Sequence, residues 1–167
     1  MHCLLILIEV AIAHLIHGFI GSGKTTYATQ LENDLPALRF SIDEWMIALY
    51  GQDPPESDFA EYHSRTADLI WKVATRALEL GQDVILDFGF WSRTSRDNAR
   101  ARLSRAGAGY VFYYVTCADE VMKARTLNRT EAIPEHALYI NEEAIDSLRE
   151  RFEPLGCDES CKVVCTD

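Results

Sequence analysis

Glycine, lysine and hydroxyl side chains follow one another at short spacing near the start of the chain. The stretch Gly18-Phe-Ile-Gly-Ser-Gly-Lys-Thr25 fits the pattern G-x-x-x-x-G-K-[S/T] at every defined position. Glycines let the backbone curl so that successive N–H groups point at phosphate oxygens, and a following helix adds the positive end of its dipole. The lysine supplies charge to the β- and γ-phosphates, and the next hydroxyl can ligate Mg²⁺. The pattern therefore predicts a site for a nucleoside triphosphate.

The residues of this turn are the candidate ligands of the predicted nucleotide. We expect the triphosphate to be bound by Gly18, Gly21, Ser22, Gly23, Lys24, Thr25 and Thr26. Lys24 is also a candidate catalytic residue, and the Thr25 hydroxyl is the expected Mg²⁺ ligand. The turn thus predicts a nucleoside triphosphate and Mg²⁺ but does not separate GTPases, motor ATPases and kinases.

A carboxylate, Asp43, follows the second predicted strand. In a phosphate-transferring enzyme, a carboxylate at this place can reach an acceptor hydroxyl, accept its proton and aim its oxygen at the γ-phosphorus. A structural alternative has equal weight, because Ser41 or Asp43 could instead cap a helix that starts near Glu44.

Charge is distributed unevenly along the 167 residues, whose formal net charge is −10. Residues 92–130 contain eight Lys or Arg and three acidic residues, so the rest of the chain is strongly acidic. The acidic balance disfavours a nucleic-acid partner. The basic segment indicates either local binding of anions or solvated helix faces. Hydrophobic residues make up 48% of the chain, which is enough for a packed core.

Short apolar runs alternate with helical patterns throughout the chain. The predicted strands are residues 13–17, 37–42, 84–86, 110–116 and 162–165, and the predicted helices are residues 24–33, 58–80, 92–106, 119–127 and 141–152. In the longest helix, Leu69, Val73, Ala77 and Leu80 recur at helical spacing. This alternation predicts a single α/β domain over residues 1–167, with a parallel sheet and helices on both faces. Ligands of such sheets bind beyond the carboxyl ends of the strands.

These motifs together resemble the small P-loop kinases, such as shikimate and gluconate kinases, chloramphenicol phosphotransferase and the kinase domain of polynucleotide kinase. The matching parts are "GFIGSGKTT", "SIDEW", "VILDFGFWSRTSR" and "RERFEPL", in the family's order over most of the chain. The resemblance implies ATP-dependent phosphorylation of a hydroxyl and a P-loop NTPase fold with five parallel strands in the order 2-3-1-4-5. It also implies acceptor-side helices within residues 43–81 and a mobile lid within residues 125–140.

The resemblance assigns further site residues after the third predicted strand. It implies that Asp87 holds the acceptor or a Mg²⁺-bound water. Arg93 and Arg96 open the next helix and are expected to contact the substrate, with Arg93 the better candidate for the transferred phosphoryl group. The aromatic residues Phe88, Phe90 and Trp91 either line an acceptor pocket or, as is commoner for such residues, pack in the core.

Two arginines belong to the segment that looks like the lid. Arg125 and Arg129 are four residues apart, so both can point the same way from one helix. Their expected role is to clamp phosphate oxygens and neutralise charge on the γ-phosphoryl group. The alternative is an exposed helix that carries two solvated arginines.

The segment after Asp43 bears on the acceptor. Residues 44–63 contain five carboxylates, several aromatic side chains and no lysine or arginine. This composition favours a compact acceptor, neutral or cationic, although Arg93 and Arg96 could accommodate an anionic acid from the opposite wall. A small hydroxyl compound is therefore the preferred acceptor.

Two other functions remain open from the sequence. A polynucleotide 5′-hydroxyl kinase is disfavoured because such kinases usually carry arginine three residues after the base aspartate, where this chain has Met46. A nucleotide-binding switch or toxin-like module without a metabolic acceptor is the other alternative, although no N-K-x-D motif for guanine is present.

Cellular location is inferred from weak signals. The apolar start of the chain has no preceding basic residue and is interrupted by Glu9, His14 and His17, so we expect neither a signal peptide nor a membrane span. Residues 1–10 either extend the first strand or form an appendage. The odd number of cysteines and the phosphate motif favour the cytoplasm, and Cys157, Cys161 and Cys165 match no common zinc spacing.

Overall fold

Strand and helix alternate along the chain, as the sequence predicts. The computed structural model describes residues 10–132 and 142–167, with the side chains of residues 130–132 and 142–143 left aside. The strands are β1 (Ile12–His17), β2 (Ala37–Ser41), β3 (Asp83–Gly89), β4 (Gly109–Thr116) and β5 (Lys162–Cys165). The helices are α1 (Lys24–Asp34), α2 (Ile42–Tyr50), α3 (Glu56–Glu79), α4 (Arg93–Arg105), α5 (Asp119–Ala132) and α6 (Glu142–Glu150). Predictions for residues 1–9, and for the part of the lid at residues 133–141, lie outside the described residues.

The five strands form one parallel sheet in the order β2-β3-β1-β4-β5, which confirms the predicted fold class and strand order. β1 lies at the centre, where Leu15 pairs with Leu86 of β3 on one side and Phe112 of β4 on the other. Because the strands are parallel, their carboxyl ends meet at one edge of the sheet. Ser41 pairs with Asp87 in the register of β2 and β3, so the segments that follow β1, β2 and β3 begin close together.

α3 buries a different face from the one that its sequence spacing indicates. Its buried residues are Thr66, Ile70, Trp71, Ala74 and Leu78. Leu69 and Val73 are instead 45% and 42% exposed, and Leu80, just beyond the helix, is 69% exposed. The apolar spacing therefore predicts the helix correctly but places its core face about one residue away from the true one.

The segment that the resemblance predicts to be the acceptor side forms α2 and α3. Met46 of α2 is fully buried, and its sulfur accepts a hydrogen bond from the Thr66 hydroxyl of α3 at 3.4 Å. Near the other end of α2, the rings of Tyr50 and Tyr62 stack with centroids 4.0 Å apart.

No helix among the described residues has the length and apolar character needed to cross a membrane.

Candidate active site

The phosphate-type turn lies between β1 and α1. Gly21 and Gly23 have φ angles of 70° and 89°, in the left-handed region that glycine adopts without strain. A Cβ atom on Gly21 would also overlap the Met122 carbonyl oxygen of α5. Gly23 precedes the first residue of α1, so Lys24 and Thr25 occupy the first helical turn, where the backbone N–H groups are free to bind an anion. This turn has the backbone and the donors that a triphosphate requires.

Thr25 and Asp87 lie side by side at the carboxyl edge of the sheet. The Thr25 hydroxyl donates a hydrogen bond to Asp87 Oδ2 at 2.8 Å. Burial raises the pKa of Asp87, and the Lys24 ammonium and the Thr25 hydrogen bond oppose that rise. A hydroxyl and a carboxylate are the hard oxygen donors that Mg²⁺ prefers, and Mg²⁺ commonly takes only one or two protein ligands beside phosphate and water. The donor pair therefore fits the predicted Mg²⁺ site.

Asp43 does not cap α2. Ser41 is the N-cap residue, and its hydroxyl accepts a hydrogen bond from the Glu44 N–H at 3.5 Å. Asp43 occupies the first helical turn and is only partly buried. The capping alternative therefore applies to Ser41 and not to Asp43. The Asp43 carboxylate is left for other contacts.

Four charged groups meet around Lys24. Its ammonium donates a hydrogen bond to the Phe19 carbonyl at 2.8 Å. Burial lowers the pKa of Lys24, the nearby Asp87 and Asp43 carboxylates oppose this, and the Arg129 guanidinium lowers it further. Residues from α1, β3, α2 and α5 are thereby brought within electrostatic reach of one another. This is the grouping expected of a phosphoryl-transfer site.

His63 of α3 faces the same region, although no sequence motif indicates it. His63 is exposed to solvent. Partial desolvation by its neighbours lowers the pKa of His63, and the Asp43 carboxylate opposes the change. Its ring also stacks on Phe59, with centroids 6.1 Å apart. A single histidine twenty residues after Asp43 carries no pattern of its own, so only the packing of α2 against α3 reveals the proximity.

Arg93 is bound by acidic side chains of α4 and of the segment before β5. Its guanidinium donates to both oxygens of Asp158 at 3.0 and 2.7 Å and to Asp97 at 3.0 Å. These carboxylates raise the pKa of Arg93. Arg93 thus joins α4 to the segment before β5, and its contact with a transferred phosphoryl group stays a prediction that would require these ion pairs to open.

The predicted substrate role of Arg96, by contrast, does not fit its surroundings. Its side chain is 1% exposed and donates two hydrogen bonds of 2.8 Å to the carboxylate of Glu159. Its remaining N–H groups bond the carbonyl oxygens of Phe90, Glu153 and Pro154 at 3.1–3.2 Å. No donor is left for a substrate. The sequence could not show that acidic residues sixty positions away would pair with the basic segment.

A family model described as an AAA domain matches residues 14–155. The chain belongs to this AAA domain family. No curated protein sequence matches the chain significantly.

Solved structures resemble this AAA domain over nearly its whole length. A kinase candidate from Chloroflexus aurantiacus J-10-fl has a TM-score of 0.76 at 18% identity, covering 94% of this chain and 89% of its own. A sugar kinase from Janibacter sp. HTCC2649 has a TM-score of 0.65 at 21% identity, covering 94% and 86%. Kti12 from Chaetomium thermophilum, solved with ADP-AlF3, has a TM-score of 0.68 at 17% identity, covering 93% and 89%. The AAA domain thus has the fold of P-loop kinases, as the sequence resemblance implied.

Arg125 and Arg129 occupy different surroundings on α5 of the AAA domain. Arg125 is exposed and donates to the hydroxyl and carbonyl oxygens of Thr166 at 3.0 and 2.7 Å. The Thr166 hydroxyl in turn donates to the Ser22 carbonyl at 2.8 Å. The charge of Arg129 instead reaches Lys24. A role of Arg129 at the phosphates stays a prediction, which this proximity to Lys24 supports.

The aromatic residues at and just after the end of β3 mainly support the structure. Phe90 is 5% exposed, and Phe88 packs edge-on against Trp71 with centroids 6.2 Å apart. Trp91 donates from its indole N–H to the Gly18 carbonyl at 3.0 Å. Of the two alternatives for these residues, the structure favours packing, and it places Trp91 against the phosphate turn.

Proposed function

We propose that this AAA domain is an ATP-dependent phosphotransferase that moves the γ-phosphate of ATP to a hydroxyl of a small molecule. The supporting observation is the position of Asp43, which is free of the capping role and lies within electrostatic reach of Lys24 beside the Thr25–Asp87 pair. A carboxylate so placed can bind an acceptor hydroxyl next to the phosphates.

The proposed mechanism gives each charged group one role. The N–H groups of the turn and Lys24 hold the triphosphate, and Thr25 and Asp87 hold Mg²⁺. Bound Mg²⁺ would neutralise phosphate charge. Asp43 orients the acceptor hydroxyl and accepts its proton while the new oxygen–phosphorus bond forms and the bond to the β-phosphate oxygen breaks. Arg129 stabilises the charge on the transferred group.

The surroundings of Asp43 favour a neutral or cationic acceptor. Arg93 and Arg96, which could have bound an anionic acid, are engaged by acidic residues of α4 and the segment before β5. Residues 44–63 contribute carboxylates and the stacked Tyr50–Tyr62 pair but no lysine or arginine. A compact hydroxyl compound with an apolar or aromatic part fits this composition better than a polyphosphate chain.

A nucleic-acid 5′-end kinase would need a basic groove. The arginines of α4 do not favour one, because four of the five, Arg93, Arg96, Arg100 and Arg102, are paired with acidic side chains. We therefore retain the small-molecule acceptor.

The proposal also retains the cytoplasm as the location, where ATP is available and thiols such as the buried Cys117 stay reduced.

The test combines an acceptor screen with a matched pair of variants. Neutral, cationic and anionic hydroxyl compounds and 5′-hydroxyl oligonucleotides would be incubated with labelled ATP, Mg²⁺ and the protein. Asp43→Asn should reduce phosphate transfer by about 10²-fold or more, since a positioned base contributes on that order, while ATP affinity stays near that of the wild type. Asp53→Asn, at an exposed position of the same acidic segment, is the control.

The outcomes separate the candidate functions. Transfer to small molecules that is lost in Asp43→Asn supports the proposal. Transfer to oligonucleotides alone would replace it with the nucleic-acid alternative. ATP binding with no transfer to any compound would favour the nucleotide-binding module instead.

A further inference from the structure

Trp91 contacts the phosphate turn from outside the segment that forms it. Its indole Nε1–H donates a hydrogen bond to the Gly18 carbonyl oxygen at 3.0 Å. Its ring lies against Phe19, with centroids 5.4 Å apart, and edge-on to Phe152 at 6.4 Å. The same residue therefore combines a directional hydrogen bond and apolar packing at the first peptide of the turn.

The backbone around Trp91 is held on several sides. Gly18 N–H donates to the Gly89 carbonyl at 3.2 Å, which fixes the other end of the same residue. Phe90 has a φ angle of 47°, a left-handed conformation that a residue with a side chain adopts only when its surroundings enforce it. Arg96 donates to the carbonyl oxygens of both Phe90 and Trp91 at 3.1 and 3.3 Å. Hydrogen bonds thus fix the backbone that carries the indole.

The direction of the Gly18 carbonyl fixes the direction of the first peptide unit of the phosphate turn. Gly18 C=O and Phe19 N–H belong to one planar, trans peptide unit, so they point in opposite directions. Anchoring the carbonyl on Trp91 aims the Phe19 N–H away from the indole. The next carbonyl, that of Phe19, accepts hydrogen bonds from the Lys24 ammonium at 2.8 Å and the Ser22 N–H at 3.3 Å. A rotated first peptide would therefore displace the part of the turn whose N–H groups must converge on phosphate oxygens.

We propose that Trp91 is a positioning residue that sets the orientation of the first peptide of the phosphate turn and thereby raises the affinity for the nucleotide. This inference rests on the nucleotide binding of the proposed function but not on the identity of the acceptor. The fit is close, because a Cβ atom on Gly89 would lie 2.7 Å from the indole Nε1. Glycine at position 89 therefore leaves the space that the indole N–H occupies.

The first experiment removes the hydrogen bond and keeps an aromatic ring. Trp91→Phe would be compared with Trp71→Phe, which makes the same change at a core position of α3. Binding of a fluorescent ATP analogue and of ADP would be measured together with thermal unfolding. We expect Trp91→Phe to weaken nucleotide binding by about 3- to 10-fold, the usual weight of one neutral hydrogen bond. Trp71→Phe should leave nucleotide affinity unchanged, whatever it does to the melting temperature.

A second measurement uses the wild-type protein and does not depend on the folding of Trp91→Phe. The chain has three tryptophans, so ¹⁵N labelling gives three indole N–H signals, which Trp45→Phe and Trp71→Phe assign by elimination. The Trp91 signal should exchange slowly with solvent and shift when ADP binds.

Each remaining result counts against the inference. The inference would be overturned by a Trp91 indole N–H signal that exchanges fast with solvent and does not shift when ADP binds. Equal nucleotide affinities of the wild type and Trp91→Phe would overturn it too. Either result would leave the phosphotransferase proposal intact. A wild-type protein that binds no nucleotide would overturn both. A loss of phosphate transfer in Trp91→Phe at unchanged nucleotide affinity would also contradict a role of Trp91 in nucleotide binding.

Discussion

Arg125 and Arg129 are one helical turn apart on α5, yet their charges act in different places. Arg125 donates hydrogen bonds to Thr166, whereas the charge of Arg129 helps to lower the pKa of Lys24. We expect Arg129→Ala to lower turnover by about 10²- to 10³-fold, because its charge is needed most when the γ-phosphoryl group is between donor and acceptor. ATP affinity should fall much less.

The matched variant is Arg125→Ala on the same helix. It should affect nucleotide affinity more than turnover, since the arginine bonds Thr166, which in turn bonds the phosphate turn at Ser22. Turnover numbers and nucleotide dissociation constants measured for both variants would decide between these roles. Equal loss of turnover in the two would show that the division between them is mistaken.

Sequence predicts the site residues where chemistry is local and misses those that depend on distant packing. The phosphate turn is a contiguous pattern, and Asp43 and Asp87 follow strands whose ends must meet in a parallel sheet. The substrate role expected of Arg96 does not fit its surroundings because its partner, Glu159, is 63 residues away and no local signal connects them. His63 escapes prediction for the same physical reason, since helix packing alone brings it to Asp43.

At the scale of elements, Glu159 joins the segment before β5 to α4. Its carboxylate is 1% exposed and accepts from Arg96 at 2.8 Å, Arg100 at 2.7 Å and the Gly156 N–H at 2.9 Å. Glu159→Gln would leave the buried Arg96 charge without a counter-charge, so we expect a loss of about 3 kcal/mol or more in the free energy of unfolding. Urea unfolding measures this, with the exposed Asp158→Asn as the control, which should change stability little. Similar losses of unfolding free energy in both variants would argue against a special contribution of the buried Glu159–Arg96 ion pair.

The positions of the strands and helices are largely predictable from sequence, but the side of a helix that packs against the core is not. Strand positions and the order of the sheet follow from apolar runs, alternation and the family resemblance. The predicted core face of α3 is displaced, because Leu69 and Val73 have helical spacing just as Ile70 and Ala74 do. Only the positions of the strands and of α2 decide which of two neighbouring stripes is buried.

At the scale of the whole molecule, His17 makes global stability depend on pH. It is fully buried in the central strand, and burial, with a contribution from Arg96, lowers its pKa to about 4, whereas its Nδ1–H bonds to Gly89 and Phe90 oppose the change. An unfolded histidine has a pKa of about 6.5. Between these values the unfolded chain binds more protons than the folded one, so stability rises with pH through this window and is lost as pH falls.

The pH dependence can be isolated with one substitution. From pH 7 to pH 4 the wild-type protein should lose on the order of 3 kcal/mol of unfolding free energy through His17 alone. His17→Phe keeps an aromatic ring stacked on Phe152, and the Gly89 and Phe90 carbonyls keep donors from Gly18 and Arg96. Urea unfolding of both proteins across this range should show a steeper pH dependence in the wild type. Carboxylates and His14 are common to both and cancel in the difference, so parallel pH profiles would mean that His17 titrates alike in the folded and unfolded chains.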